Sequence, residues 1–194
     1  MIRRLLPLFL AVLFPCTASA GDFNNQVYTS HLGYTITLPS GWTRVDAATE
    51  QAQRGKLPQN VDANTLSTFD VIFFPSDQSN EHFASTISIL GLSTAPSDTT
   101  NEIAKAYADT ILEAFSGENA KASNFKVVSS EAAPIAPGDA LILKFSFTLG
   151  MRQVAVEQAV ITHNNATFIV TCTRNTSDDK NEALCSDVYN SMKF

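Results

Sequence analysis

The clearest signal in the chain is alternation. Leu141, Leu143, Phe145, Phe147 and Leu149 interleave with Ile142, Lys144, Ser146 and Thr148. That is the period of a strand with one face against a core. Tyr34, Ile36 and Leu38 alternate with Thr35 and Thr37 in the same way, and Pro39-Ser40-Gly41 stops that strand just before Trp42, the only tryptophan. A strand is expected over 69–74, closed by Pro75, and another over 85–92, the two placed to pair as a hairpin across the polar stretch 76–80. Four strands then follow. One covers 125–130, with breaks at Ala132-Ala133-Pro134 and Pro137-Gly138. The 141–149 strand is next, turned by Gly150. The chain returns over 153–162, and Asn164-Asn165 is a hairpin turn signal, because asparagine tolerates the left-handed region. A strand over 167–173 completes a meander.

Helical periods are fewer. From a cap at Ser97 or Asp98 to a stop at Gly117, Glu102, Lys105, Asp109 and Glu113 share one face. Ala104, Tyr107, Ala108, Ile111, Leu112 and Phe115 cover the other, so this helix is expected to lie across a sheet. A short polar helix is expected within 46–56, then a loop over 57–67. A last helix is expected over 177–192, capped by Ser177, with Leu184, Cys185, Val188 and Met192 on one face. On the strand before it, Phe168, Val170 and Cys172 share a face. The two periodicities aim both cysteines into one layer. The fold class expected is α+β, an α-β-α sandwich around a central antiparallel sheet of about six strands.

The first twenty residues change the picture. Arg3 and Arg4, an apolar run from Leu5 to Phe14, and Ala18-Ser19-Ala20 are the three parts of a cleaved secretory signal. The apolar core falls short of the ~20 residues that span a bilayer. Pro7 and Pro15 argue against a buried N-terminal helix instead. Cys16 raises lipid anchoring as an alternative, although Phe14 and Pro15 stand where a lipoprotein signal wants small residues. The expected organisation is a signal peptide over 1–20 and a single domain over 21–194, in a periplasmic or secreted protein.

Cys172 and Cys185 are the cysteines left after cleavage. In an oxidising compartment they read most simply as one structural disulfide. A redox pair would favour Cys-x-x-Cys, and a thiolate metal site would need more ligands nearby.

Without Arg3 and Arg4 the chain keeps 11 basic against 19 acidic residues, a net charge of −8. Such a surface repels phosphate backbones and anionic membranes, so no nucleic-acid partner is expected. Catalytic patterns are equally thin. No Gly-x-Ser-x-Gly elbow occurs, and Ser40 has no second glycine in register. A triad built on His31, His82 or His163 would rest on chance proximity. Glu81-His82 lacks a third metal ligand, Asp178-Asp179 suits a helix start, and Ser30-His31 reads as an ordinary loop. No catalytic, cofactor or metal residue is expected. Phe69, Phe73, Phe74 and Phe83 read as core, with an exposed ring as a contact patch if the pair Phe73-Phe74 reaches a sheet edge. The Asn-x-Ser/Thr patterns at Asn165 and Asn175 read as asparagine-rich turns.

Gly33-Tyr34-Thr35-Ile36-Thr37-Leu38-Pro39-Ser40-Gly41-Trp42 resembles the opening of PsbP-like domains, and Phe168-Ile169-Val170-Thr171-Cys172 with the closing Ser191-Met192-Lys193-Phe194 resembles their last strand and final helix. The resemblance implies the sandwich, and a binding, adaptor or assembly role rather than catalysis. It carries no shared catalytic motif. Some bacterial relatives are cytoplasmic chaperones for secreted effectors, from which the signal segment departs. Two functions are therefore expected as alternatives: an exported, non-enzymatic adaptor that binds another envelope protein, through an exposed apolar or edge-strand surface, and a small-ligand or lipid-binding periplasmic protein with an enclosed apolar pocket.

Overall fold

A computed structural model describes residues 27–44, 69–76, 85–92, 122–136, 138–164, 166–177 and 183–194. The alternating segments become strands. β1 (Val27–Thr29) and β2 (Thr35–Thr37) form a two-stranded ribbon. β3 (Trp42–Arg44), β4 (Phe69–Pro75), β5 (Thr86–Leu92), β6 (Ala122–Ile135), β7 (Gly138–Leu149), β8 (Arg152–His163) and β9 (Ala166–Asn175) form one sheet. Its order is β3-β4-β5-β9-β8-β7-β6, and every neighbouring pair is antiparallel. The sheet thus has seven strands where about six were expected. β4 and β5 do form the hairpin, and β6 to β9 the meander. The single described helix is α1 (Leu184–Asn190). The expected signal segment and the helices over 46–56 and 97–117 lie outside the described residues.

Local chemistry explains the turns. Gly41 has φ +81, and its carbonyl accepts from both the backbone N–H and the hydroxyl of Ser76, locking β3 onto the end of β4. Asn164 takes φ +44 at the β8–β9 hairpin, as its sequence signal implied.

Three expectations need correction. The break at Ala132-Ala133-Pro134 does not occur: β6 runs on to Ile135, with Ala132 opposite Leu141 and Pro134 opposite Asp139. An edge strand tolerates proline because its missing donor can face away from the ladder. The last helix does not begin at Ser177, which lies in a turn with its N–H bonded to Asn175 Oδ1; the described helix begins at Leu184. The closing residues are not helical either. Lys193 exchanges both backbone hydrogen bonds with Thr35, and Ser191 Oγ accepts from the Thr37 N–H, so the C-terminus is sewn to β2.

The core sits between the sheet and the layer made by the β1–β2 ribbon and α1. Tyr34, Ile36 and Leu38 come from the ribbon side, Leu184, Val188 and Met192 from the helix side, and Phe73, Ile89, Ile161 and Val170 from the sheet. Cys172 and Cys185 form the expected disulfide, Cα–Cα 5.6 Å, which pins α1 to β9. The opposite sheet face is buried too, through Leu141, Phe145, Phe147, Val156, Val160 and Ile169. Among the described residues no helix is long and apolar enough to cross a membrane.

Candidate functional site

Among the described residues, two places gather charged and polar chemistry. The first surrounds Asp70. β4 is irregular between Phe69 and Val71, where Phe69 pairs with Leu90 and Val71 with Ile89, so Asp70 is the extra residue of a bulge. A bulge re-aims its side chain. Here it turns a carboxylate into the ribbon layer, where it is buried. Ser30 Oγ donates to it at 2.5 Å, Tyr28 OH at 3.3 Å, and Tyr34 OH through a third bond. His31 Nδ1 stands 3.1 Å away, with its imidazole largely in solvent. Burial first, and the bond to Asp70 second, push the Tyr34 phenol far above its ordinary range, so it remains a donor.

This cluster contains serine, histidine and aspartate but not the order of a triad. A nucleophile needs its hydroxyl on the imidazole, with the carboxylate behind the imidazole. Ser30 instead gives its proton to the carboxylate itself and accepts the Leu32 N–H. The arrangement ties the 30–34 turn to β4. Sequence reasoning placed Ser30 and His31 in a loop, as observed, and Tyr34 at the start of a strand, where it instead closes the turn before β2; it had no signal for Asp70 as their common partner, because a bulge is invisible to period-2 counting.

The second place lies at the other end of the same layer, beside α1. Register sets its floor. Lys126, Ser146, Ala155 and Arg174 form one cross-strand row, and Ser129, Lys144, Glu157 and Cys172 the next. Above them is an open groove of about 320 Å³, walled by Leu184 and the disulfide on one side and by Val128 on the other. Lys144 Nζ is 3.2 Å from Glu157 Oε2, and Tyr189 OH donates to Glu157 Oε1 at 3.2 Å. Burial, then the Glu157 carboxylate, push the Tyr189 phenol up to about 12. Lys126 belongs to neither described ion pair, His31–Asp70 or Lys144–Glu157.

β6 borders this groove and, among the described strands, is the sheet's edge. It is irregular twice, between Ser123 and Lys126 and between Val127 and Ser129, so Val128 has no cross-strand partner. Like most of this strand, Lys126, Val127 and Val128 are exposed, the valines at 40% and 60%; Lys126 shares the row of Ser146 and Val127 that of Phe145, so these two face opposite sides of the sheet, and Val128 borders the groove. Period-2 counting does not reveal the unpaired position, since a bulge leaves no mark in the alternation of residue types.

The remaining singled-out residues are dispersed. His163 stacks on Phe194 at 4.0 Å, on the far side of the layer from Lys126, and Asn164 lies within hydrogen-bond reach of its ring. Phe73 is buried and Phe74 partly so, behind β3 rather than at the sheet edge. Ser40 is exposed in its turn. His82, Glu81, Phe83, Asp178 and Asp179 lie outside the described residues. Among the described residues no three His, Cys, Asp or Glu side chains gather as a metal site would require.

No family model matches the chain, and neither does any curated protein. Solved structures do. Cyanobacterial PsbP (CyanoP) from Synechocystis sp. PCC 6803 superposes with a TM-score of 0.57 at 16% identity, over 93% of this chain and 99% of that one. The Saccharomyces cerevisiae Ran-binding protein Mog1p gives 0.53 at 13% identity, over 89% and 96%. LpqN, involved in cell envelope biogenesis of Mycobacterium tuberculosis, gives 0.50 at 13% identity, over 83% and 82%. These likenesses agree with the residues at both ends of the domain that suggested the same architecture, and the chain has the PsbP-like fold.

Proposed function

We propose that this chain is an exported, non-enzymatic accessory or adaptor protein of the bacterial envelope, and that it docks another envelope protein along the β6 side of its sheet. The observation that carries the reading is the exposed Lys126-Val127-Val128 triplet on an edge strand. Protein interfaces place apolar anchors inside a polar rim. Val128 beside a charged groove, with Val127 exposed on the other face of the same edge, has that composition. The two bulges also matter. They keep the edge from pairing with any passing strand, so side chains select what docks.

Export is supported by the signal pattern over 1–20 and by the disulfide, which forms and lasts in oxidising compartments. Fold neighbours supply analogy only. One is named Ran-binding and another is named for cell envelope biogenesis. The full α-β-α sandwich belongs to the same proposal: the sheet's second face is buried, and the apolar stripe of the expected helix over 97–117 is suited to cover it. The groove is open and charged, unlike the enclosed apolar pocket that a lipid or small apolar ligand would need.

The test is capture of envelope proteins on the purified mature chain and on its Val127→Asp/Val128→Asp variant. The proposal expects a stoichiometric partner that the variant loses while keeping its Tm. Equal capture by both forms would contradict it.

A further inference from the structure

We infer that the sheet face turned away from the ribbon and α1 holds an internal water, bound by the side chains of Ser88, Thr171 and Gln158. The site lies on the opposite face from the groove, so it stands apart from the docking reading above.

Register puts the three side chains in one row. Ser88 on β5 stands opposite Thr171 on β9, and Thr171 opposite Gln158 on β8. Ile72 and Leu143 continue the row at its two ends. All three polar residues are buried, Ser88 at 0%, Gln158 at 1% and Thr171 at 4% exposure. Gln158 Nε2 donates to Thr171 Oγ1 at 2.8 Å. Among the described residues, Ser88 Oγ and Gln158 Oε1 have no hydrogen-bond partner. Turning the amide over would only exchange which of its two ends is orphaned. The neighbouring rows offer no remedy. On one side Leu90, Ile169, Val160 and Leu141 are apolar, and on the other the Thr86 and Thr173 hydroxyls bond to each other. Thr167 Oγ1 is also orphaned, but the Ile169 row separates it from these three. Buried polar groups are rarely left unmet, and interiors meet them with waters that make about three hydrogen bonds each. The inventory here fits one such water. Thr171 accepts from the amide, which leaves its own O–H to donate, while Ser88 Oγ and Gln158 Oε1 can both accept. A water that accepts from Thr171 and donates to the other two satisfies all three. Ser88 and Thr171 are also the short side chains of the row, between Ile72 and Gln158, so the room for a water lies over its middle.

The experiment is a high-resolution crystal structure of the mature chain, beside that of its Ser88→Ala/Gln158→Leu variant. The inference expects one ordered water in the parent, within hydrogen-bond distance of Ser88 Oγ, Thr171 Oγ1 and Gln158 Oε1, and its loss in the variant. A parent in which a protein group bonds Ser88 Oγ or Gln158 Oε1 directly overturns the inference. So does a parent with no water between them, or a water that persists when both groups are removed. Should the variant fail to fold, the parent structure decides alone, since it must show the water on all three groups.

Discussion

Tyr34 and Asp70 are 36 positions apart in sequence, and both are buried with the phenol donating to the carboxylate. The bond exists because a bulge in β4 turns Asp70 toward the ribbon instead of outward. A buried carboxylate is costly unless donors surround it, and Ser30, Tyr28 and Tyr34 supply them. Asp70→Asn keeps the shape and removes the charged acceptor. The expected loss is on the order of 3 kcal/mol, read as a fall in Tm of roughly 6–12 °C. A change under 2 °C, within the effect of ordinary surface substitutions, would show that the cluster does not hold the ribbon.

Both raised tyrosines make the fold sensitive to alkali. Tyr34 and Tyr189 favour the neutral phenol in the folded state, Tyr189 up to about 12. A raised folded pKa binds the proton more tightly than the unfolded chain does. The stability it contributes is therefore complete below the ordinary tyrosine value of about 10 and is lost as pH rises through the folded value. Tm is expected to be flat with respect to these groups up to about pH 10 and to fall above it. Tyr189→Phe should soften that fall, and phenolate absorbance followed against pH checks it.

The disulfide closes a loop with a sequence separation of 13. Loops of that size are worth about 3 kcal/mol in the chain-entropy account. Reduction, or the double change Cys172→Ala/Cys185→Ala, should lower stability by about that amount. The sheet should persist, because β9 stays paired to β5 and β8. Denaturant unfolding with and without reductant measures the difference.

Leu32 packs over Gly91, where an added Cβ would lie 2.5 Å from Leu32 Cδ1. Leu32 is 37% exposed and can swing outward. Gly91→Ala should therefore cost only about 1 kcal/mol, and Leu32→Ala in the same chain should cancel most of it. A double-mutant cycle reads this coupling, which additive behaviour would refute.

β9 is buried continuously over 167–173, whereas the 141–149 strand was legible because Phe145 and Phe147 are buried while Lys144, Ser146 and Thr148 are only partly so, a period that needs no tertiary context. The agreement of Cys172 and Cys185 on one layer was legible for the same reason. What escaped was every departure from regularity. Asp70 is the extra residue of the β4 bulge and Val128 that of a β6 bulge, and neither position is marked by the alternation of residue types. Pro134 looked like a terminator because sequence does not reveal that β6 is an edge. Ser177 looked like a cap because Asn175 offers the same kind of oxygen to the Ser177 N–H in a turn. The candidate site is built from these irregularities, so the part of the chain that bears on function was the least readable.

The most direct test of edge docking is a crosslinking scan in living cells. It compares Val128 on β6 with Met151 at the β7–β8 hairpin tip and Leu32 at the opposite end of the layer, all exposed apolar positions. Capture of one envelope protein from position 128, and not from 151 or 32, is the expected result; equal capture from all three, or capture from 151 or 32 alone, would contradict it.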